Sequence, residues 1–244
     1  MARAHPMDQS RPTPVDVDVA TPTGPIRAAL AVPAGAGPWP GVVVVHDAFG
    51  LSDDIRRNTR RFADNGYLAI APDLFSRGYV RCVRSVMRSM AQRSGQAVDD
   101  LTAARSVLAD RSDCTGKVGI AGFCMGGGFA LVMGTMGFDA SAPFYPSLMR
   151  DYGFLCDGSC PVVASYGRKD PLNLGNGPRL RKSLDDNGTP NDVKVYPGAG
   201  HSFANEHSGQ PVLRIAGFGY DADATDDAYR RVFDFFGTHL VAGR

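Results

Sequence analysis

The chain has 244 residues, of which 43% are hydrophobic and 21% are charged, and its formal net charge is +1. This composition is typical of a globular protein, and no apolar run approaches the roughly 20 residues that a membrane-spanning helix needs. The near-zero charge excludes a global basic surface for nucleic acid. We therefore expect neither a membrane nor a nucleic-acid partner.

Residues 1–14 carry three prolines and several polar side chains but no apolar segment that resembles a secretory signal. A loose tail is predicted there, followed by a single domain over residues 15–244. The five cysteines are an odd number at irregular spacing, which favours reduced thiols over a disulfide framework. We expect a cytoplasmic protein.

Two short strands are predicted at the start of the domain. Residues 15–19 alternate apolar and polar side chains, residues 21–25 contain turn-forming proline and glycine, and residues 26–32 continue as a second strand. This pattern predicts an antiparallel hairpin at the edge of a sheet. Residues 42–45 are a run of valines, typical of a central strand that helices cover on both faces.

Helices and strands then alternate to the end of the chain. Helices are predicted over residues 53–65, 79–93, 99–111, 125–136, 177–187 and 225–240, and strands over residues 67–71, 117–121, 139–145, 161–166 and 192–196. Ser52 is predicted to cap the first helix, and Gly66 to follow its end. Without a repeat or a polar linker, the alternation predicts one doubly wound, mostly parallel α/β sheet.

Residues 118–130 have the pattern of a strand, a sharp turn and a helix, with the reversal at Cys124. A residue strained in such a turn needs neighbours without bulk, and Gly122 and Gly126 flank it at the required spacing. This is the nucleophile-elbow pattern G-x-Nu-x-G, in which the helix N-terminus favours the reactive thiolate. A glycine-rich turn with a buried, inert cysteine fits the same five residues. Inert thiols are expected at Cys82, Cys114, Cys156 and Cys160.

Asp170 and His201 follow two later predicted strands, whose carboxyl ends meet at one edge of the sheet. Asp170 lies in a turn, and His201 lies in a glycine-flanked loop that we expect to be mobile. The chain order of nucleophile, acid and histidine is that of the α/β-hydrolase fold. An aspartate after a strand is often only a turn residue, and a lone histidine is often structural, as expected for His46. Motif, order and position together favour a Cys-His-Asp triad.

An acyl-transfer site also needs backbone N–H groups that stabilise the oxyanion. The N–H of Met125, directly after the nucleophile, and that of Ala48, in the loop after the central strand, are predicted to do this. No metal site is predicted, because His201, Glu206 and His207 do not match the zinc-protease motifs.

Five segments of the chain resemble the dienelactone hydrolase family: residues 41–51, 71–77, 122–127, 167–170 and 200–203. They are spread over roughly residues 15 to 240, and the cysteine elbow and the His-Ser-Phe loop are fairly specific. The resemblance implies an α/β-hydrolase fold without metal or organic cofactor and a monomer or weak homo-oligomer. It further implies a triad of Cys124, His201 and Asp170 that hydrolyses a lactone or ester.

The family places a glutamate after the third strand, where it helps to generate the thiolate, and Asp47 stands at that position. Dienelactone hydrolase uses two arginines for the substrate carboxylate; Arg77 matches the first, and Asn205 stands where the second would be. The resemblance thus implies substrate-binding or thiol-activating roles for Asp47, Phe49, Arg77, Phe203 and Asn205. Because one guanidinium is missing, we expect 4-carboxymethylenebutenolide to be a poor substrate and the natural one to be less anionic.

The long segment 204–223 is predicted to fold over the site, although a plain surface loop fits the same composition. Three functions remain open. The leading interpretation is a cysteine-dependent hydrolase of a carboxylic ester or lactone that forms a thioester. An acyltransferase would share that intermediate, and a non-catalytic small-molecule binding protein could keep the same fold.

Overall fold

The structure is a computed structural model, which describes residues 13–147, 149, 151–206 and 217–241. Its strands are β1 (Val15–Val19), β2 (Ile26–Ala31), β3 (Trp39–Val45), β4 (Leu68–Pro72), β5 (Cys114–Phe123), β6 (Ser141–Phe144), β7 (Val162–Gly167) and β8 (Asn191–Tyr196). They form one sheet in the order β1-β2-β4-β3-β5-β6-β7-β8. Of the tail predicted over residues 1–14, residues 1–12 lie outside the described part of the chain.

β1 pairs antiparallel with β2, and β2 pairs antiparallel with β4. All other neighbours in the sheet are parallel. The hairpin of β1 and β2 therefore forms one end of the sheet, and β3 lies between β4 and β5 in its centre. The predicted doubly wound, mostly parallel sheet with an N-terminal antiparallel hairpin is confirmed.

The helices are α1 (Asp53–Asp64), α2 (Tyr79–Gln92), α3 (Gln96–Ala109), α4 (Met125–Met133), α5 (Asn176–Asp186) and α6 (Ala222–Phe236). A 3-10 helix at Gly153–Asp157 was not predicted, and the end of the helix predicted over residues 225–240 is a π-helical turn at Gly237–Val241. Across the described residues, no helix combines the length and apolarity required to cross a membrane.

Several predicted helix bounds are wrong by about one turn. α3 begins at Gln96 rather than at residue 99, and α4 ends at Met133 rather than at residue 136. α6 begins at Ala222, because the Asp221 side chain accepts a hydrogen bond from the Ala224 N–H and caps the helix there. The predicted cap of α1 is confirmed, since Ser52 accepts from the Ile55 N–H at 3.4 Å.

Alternate residues of the central strand contribute to two separate cores. Val43 and Val45 pack with α2, α3, α4 and α5 on one face of the sheet, whereas Val42 and Val44 pack with α1 and α6 on the other. This alternation follows from the period of two in a strand. All four valines are fully buried, as predicted for a strand covered on both faces.

The parallel strands bring four loops to one edge of the sheet. β3 leads into the loop that carries Asp47, and β5 ends directly before Cys124. Asp170 follows β7, and His201 follows β8. Because parallel strands all end at the same edge, residues far apart in sequence can meet there, with Cys124 in the middle.

Candidate active site

Cys124 has the strained backbone conformation of a nucleophile elbow, with φ 55° and ψ −115°. A residue with a side chain adopts this region only when its surroundings hold it there. A Cβ at Gly122 would lie 2.0 Å from the carbonyl oxygen of Gly126, and one at Gly126 would lie 2.3 Å from that of Val45. Both glycines are thus required by close backbone contacts, as the sequence predicts.

The sulfur of Cys124 is partly exposed and lies 3.4 Å from the hydroxyl oxygen of Ser147. It sits at the N-terminus of α4, where the helix dipole favours a negative charge. In the part of the chain that the structure describes, the N–H groups of Met125 and Ala48 donate no hydrogen bond. Both groups predicted for an oxyanion hole are therefore available to a ligand.

Asp170 and His201 form a buried pair, in which the imidazole Nδ1 lies 2.7 Å from the carboxylate Oδ2. The same oxygen accepts from the side-chain amide of Asn173 at 2.7 Å, and Oδ1 accepts from the Leu172 N–H at 2.8 Å. These donors fix the orientation of the carboxylate. The carboxylate in turn fixes the imidazole with Nδ1 as its donor.

Two opposing effects set the charge of His201. Burial lowers the pKa of the imidazole, but hydrogen bonding to Asp170 and the interaction with Cys124 outweigh it and raise the pKa from 6.5 to about 9. The second ring nitrogen, Nε2, is buried and has no hydrogen-bond partner among the described residues. The Cys124 thiol contributes to the raised pKa through hydrogen bonding as well as through its charge, so the thiol and the ring are close neighbours. An imidazole held through one nitrogen, with the other free beside a thiol, can act as a general base.

The loop that carries His201 is tied down on both sides. Its N–H donates to the Gly217 carbonyl at 2.7 Å, and its own carbonyl accepts from the Gly219 N–H at 2.9 Å. The imidazole lies between the rings of Tyr145 and Phe218, with centroid distances of 5.1 and 5.3 Å. These backbone and ring contacts hold the histidine in this position, and the expected mobility of its loop stays a prediction.

Comparisons with known proteins identify the family of this chain. A sequence model described as the dienelactone hydrolase family matches residues 26–240. The chain belongs to this family. It is 28% identical to a "Putative carboxymethylenebutenolidase" of Methylorubrum extorquens, over 93% of this chain and 81% of that protein. A protein of Saccharolobus solfataricus with the same name is 26% identical, over 86% of this chain and 93% of the relative.

Solved structures of similar proteins share the fold. A putative dienelactone hydrolase of Klebsiella pneumoniae has a TM-score of 0.74 and 24% identity, covering 92% of this chain and 98% of the other. A dienelactone hydrolase-like promiscuous phosphotriesterase from metagenomic libraries has a TM-score of 0.78 and 25% identity, covering 94% and 99%. The chain is therefore a member of a hydrolase family with the α/β-hydrolase fold.

Asp47, at the position of the family glutamate, is almost fully buried. Its Oδ1 accepts a hydrogen bond from the Phe49 N–H at 2.8 Å, so the carboxylate shapes the loop that carries Ala48. Phe49 is 69% exposed at the rim of the sheet. The structure therefore shows Asp47 shaping the loop that carries Ala48, and its role in thiol activation stays a prediction.

Arg77 and Phe203, both predicted to bind substrate, make contacts within the protein. Arg77 forms a bidentate ion pair with Asp100, at 2.8 and 3.1 Å, and also donates to the hydroxyl of Thr21 and the carbonyl of Gly24. Phe203 is fully buried between the rings of Tyr145 and Tyr196. The guanidinium of Arg77 is thus already paired and the ring of Phe203 belongs to the core, and a contact of either side chain with a substrate stays a prediction.

Asn205 is also fully buried, and it belongs to a polar chain beneath the site. Its amide donates to Asp54 Oδ2 at 2.5 Å, and its side-chain oxygen accepts from the Tyr145 hydroxyl. Asp54 continues the chain to Asn58, which accepts from the Tyr229 hydroxyl at 2.7 Å. The side chain of Asn205 thus joins the His201 loop to α1, and its predicted role in substrate binding stays a prediction.

Three contributors to the site were missed from the sequence. Asn173 lies three residues after Asp170 in an Asp-Pro-Leu-Asn turn, a local signal that could have revealed it. Tyr145 and Ser147 follow β6 and carry no motif, so only the fold shows that they approach His201 and Cys124. No cluster of three or more His, Cys, Asp or Glu side chains able to hold a metal occurs within residues 13–147, 149, 151–206 and 217–241.

Proposed function

We propose that this chain is a cysteine-dependent hydrolase of carboxylic esters or lactones, with one catalytic domain over residues 15–244 and a thioester intermediate. The observation that supports this most directly is the meeting of Cys124 at the elbow with the Asp170–His201 pair. Nδ1 of the imidazole is held by the carboxylate, and Nε2 is left for proton transfer. Neither a turn cysteine nor a structural histidine would require this combination.

In the acylation step, the Cys124 thiolate attacks the acyl carbon, and negative charge develops on the carbonyl oxygen. The N–H groups of Ala48 and Met125 stabilise that oxygen, and such a donor contributes about 3–4 kcal/mol in a well-studied protease. The intermediate then collapses. The alkoxide leaves with the proton of His201 Nε2, and the acyl group remains on sulfur as a thioester.

In the deacylation step, water attacks the thioester carbon and gives a proton to Nε2 of His201 as it adds. The carbon–sulfur bond breaks, the carboxylic acid is released, and the thiolate and imidazolium are restored. Asp170 accepts the Nδ1–H bond throughout and stabilises the cationic ring. The pKa of about 9 for His201 fits this scheme, because the ring is then protonated at neutral pH and can donate the Nε2 proton to the leaving group.

The substrate is proposed to be less anionic than a carboxylated lactone. The curated relatives carry the name carboxymethylenebutenolidase. In this chain the guanidinium of Arg77 is paired with Asp100, and the amide of Asn205 is buried against Asp54. Neither group offers a positive charge to a substrate carboxylate. A kcat/KM for 4-carboxymethylenebutenolide that equals or exceeds that for neutral esters would contradict this proposal.

The test of the mechanism compares p-nitrophenyl acetate hydrolysis by the wild type with Cys124→Ala, His201→Ala and Asp170→Asn. Each variant should lose at least about 10³-fold in kcat/KM, because the three groups act as a unit. Cys156→Ala is the matched control, since this exposed thiol lies outside the site, and it should keep full activity. Intact-protein mass should show an acyl adduct on the wild type that Cys124→Ala lacks.

Two outcomes would redirect the assignment. Equal slow hydrolysis by the wild type and the three site variants would favour a non-catalytic binding protein. An acyl adduct that persists in water but transfers quickly to an added alcohol or amine would favour an acyltransferase, because both reactions share the thioester and differ in the acceptor that resolves it.

A further inference from the structure

The first turn of α4 has two glycines more than the elbow requires, Gly127 and Gly128. A Cβ at Gly127 would lie 2.7 Å from the Phe144 carbonyl oxygen and 2.9 Å from the Cα of Pro146. A Cβ at Gly128 would lie 2.9 Å from the Ser147 carbonyl oxygen. Both glycines therefore allow the chain that leaves β6 to pack directly on the helix start that carries the nucleophile.

Ser147 is joined to Cys124 at two points. Its backbone N–H donates to the Cys124 carbonyl at 2.9 Å, and its hydroxyl oxygen lies 3.4 Å from the sulfur. The serine is 4% exposed, so little water competes for the hydroxyl. Tyr145, with φ 35°, makes the sharp turn that brings Ser147 to this position. The Ser147 hydroxyl thus faces the sulfur as a fixed partner.

We propose that Ser147 is a positioning residue of the nucleophile, whose hydroxyl donates a hydrogen bond to the Cys124 thiolate and holds the sulfur beside His201. This inference rests on the proposed cysteine mechanism and adds a residue to it. A thiolate has no proton of its own, so the hydroxyl is the donor in this contact. A hydrogen bond to a charged group is also stronger than one between neutral groups.

The other polar groups near the sulfur are used differently. The Tyr145 hydroxyl donates to Asn205, and the Asp47 carboxylate accepts from the Phe49 N–H. Tyr145 follows β6 like Ser147, Asp47 follows β3, and His201 follows β8, so the titratable groups reach the site from three loops. Within the described residues, Ser147 is the side chain that contacts the sulfur through a hydroxyl.

Removal of this hydrogen bond has two opposite effects. The thiolate becomes less abundant at acidic pH, because it loses a stabilising donor. Each thiolate that forms is intrinsically more nucleophilic, since nucleophilicity rises with basicity with a Brønsted coefficient of about 0.4–0.5. The pH profiles of thiol reactivity with and without the hydroxyl should therefore cross, which a merely structural serine would not produce.

The experiment measures iodoacetamide alkylation of Cys124 by intact mass between about pH 5 and pH 10 in the wild type and Ser147→Ala. If the midpoint of the profile rises by about one pH unit, Ser147→Ala should react about threefold more slowly at the acidic end and about threefold faster at the alkaline end.

Ser141→Ala is the matched control. Ser141 lies on the strand that leads to Ser147, is fully buried, and donates to the Ala130 carbonyl in the same helix α4 at 2.8 Å. Its loss should destabilise the protein without moving the alkylation profile. Ser147→Thr and Ser147→Val form a second pair of nearly equal shape, in which only threonine keeps the hydroxyl, and they replace Ser147→Ala if that variant does not fold.

Alkylation profiles of Ser147→Ala and the wild type that superimpose would overturn the proposal, as would Thr and Val variants with the same profile. These outcomes are separate from failure of the cysteine mechanism. In that case Cys124→Ala would retain hydrolysis, whatever the profile of Ser147→Ala. Loss of hydrolysis in Cys124→Ala together with an unchanged profile in Ser147→Ala would remove the role of the serine alone.

Discussion

Two buried histidines lie in loops at the same edge of the sheet, and they differ in their partners. His46 follows β3, donates from Nδ1 to the Asp47 carbonyl at 2.6 Å, and accepts from the Leu74 N–H at Nε2 at 3.0 Å. His201 follows β8 and is bound by the Asp170 carboxylate, with Cys124 nearby. One ring is thus held by backbone groups at both nitrogens, and the other is held by a carboxylate and interacts with a thiol.

The same burial therefore gives two different charges. Burial dominates at His46 and lowers its pKa, although the backbone contact and neighbouring carboxylates act in the opposite direction. At His201, burial is outweighed by the carboxylate and the thiol, and the pKa rises to about 9. A neutral ring with both nitrogens occupied serves as a structural link between two loops. A cationic ring with one buried nitrogen free is suited to proton transfer.

The largest expected effect is a difference in catalytic activity between variants of the two histidines. His201→Gln should lower kcat/KM for p-nitrophenyl acetate by at least about 10³-fold, because no other group replaces the base. His46→Gln should keep kcat/KM within about tenfold and mainly lose stability, since its ring bonds to backbone. Steady-state kinetics on both variants, each checked for a folded spectrum, make the test. Comparable losses of activity would end the distinction between a structural and a catalytic histidine.

The loop of His46 touches the Cys124 elbow at Gly126. A Cβ there would lie 2.3 Å from the Val45 carbonyl oxygen and 2.6 Å from that of His46, so Gly126→Ala must push the His46 loop away from the elbow. We expect a loss of about 3 kcal/mol or more in the free energy of unfolding. Gly237→Ala is the control, because a Cβ there meets nothing within 4 Å and should be neutral or slightly stabilising. Urea unfolding of both variants measures the contrast, and equal midpoints would refute the close contact.

The two histidines should also give opposite slopes of stability against pH. His201 has a raised folded-state pKa, so its contribution is full below its unfolded value of 6.5 and is lost as the pH rises towards 9, by as much as about 3 kcal/mol. His46 has a lowered folded-state pKa, so its contribution is full above 6.5 and is lost as the pH falls below that value. Unfolding free energies should be measured at several pH values. The plot of stability against pH should become flatter on its alkaline side in His201→Gln and on its acidic side in His46→Gln. The reverse assignment would contradict both charge states.

The smallest expected effect concerns Tyr145, whose ring packs on the imidazole of His201. Tyr145→Phe keeps the ring that packs on the imidazole but removes the hydroxyl that donates to Asn205. We expect a loss of about 1 kcal/mol in stability and less than about threefold in kcat. Thermal unfolding and kinetics measure this, and Tyr152→Phe, which removes a hydroxyl next to Tyr166 on the other core, is the control. A loss of activity as large as that of His201→Gln would give the hydroxyl a chemical role.

Most of the fold was predictable because its signals are local. Patterns of a few residues predict the valine run of β3, the glycines around Cys124 and the serine cap of α1. The helix bounds were less predictable, since a cap such as Asp221 competes with other nearby polar residues. The lid predicted over residues 204–223 stays a prediction, because residues 207–216 lie outside the described part of the chain.

The site was predictable where the chemistry coincides with a strand end, as at Cys124 and Asp170. The site could not be predicted where a side chain contacts a partner that is distant in sequence. Arg77 is paired with Asp100, 23 positions away, and no local pattern in the sequence predicts this ion pair. Ser147 was missed for the same reason, since its hydroxyl reaches the sulfur through the packing of β6 on α4.

The positive φ of Cys124 has a consequence for how this protein can change over generations. Only glycine occupies that backbone region without strain, which for other residues is of order 1–3 kcal/mol. Replacement of the cysteine by glycine would therefore relax the chain and remove the proposed nucleophile in one step. Each generation that keeps the cysteine keeps the backbone strain with it.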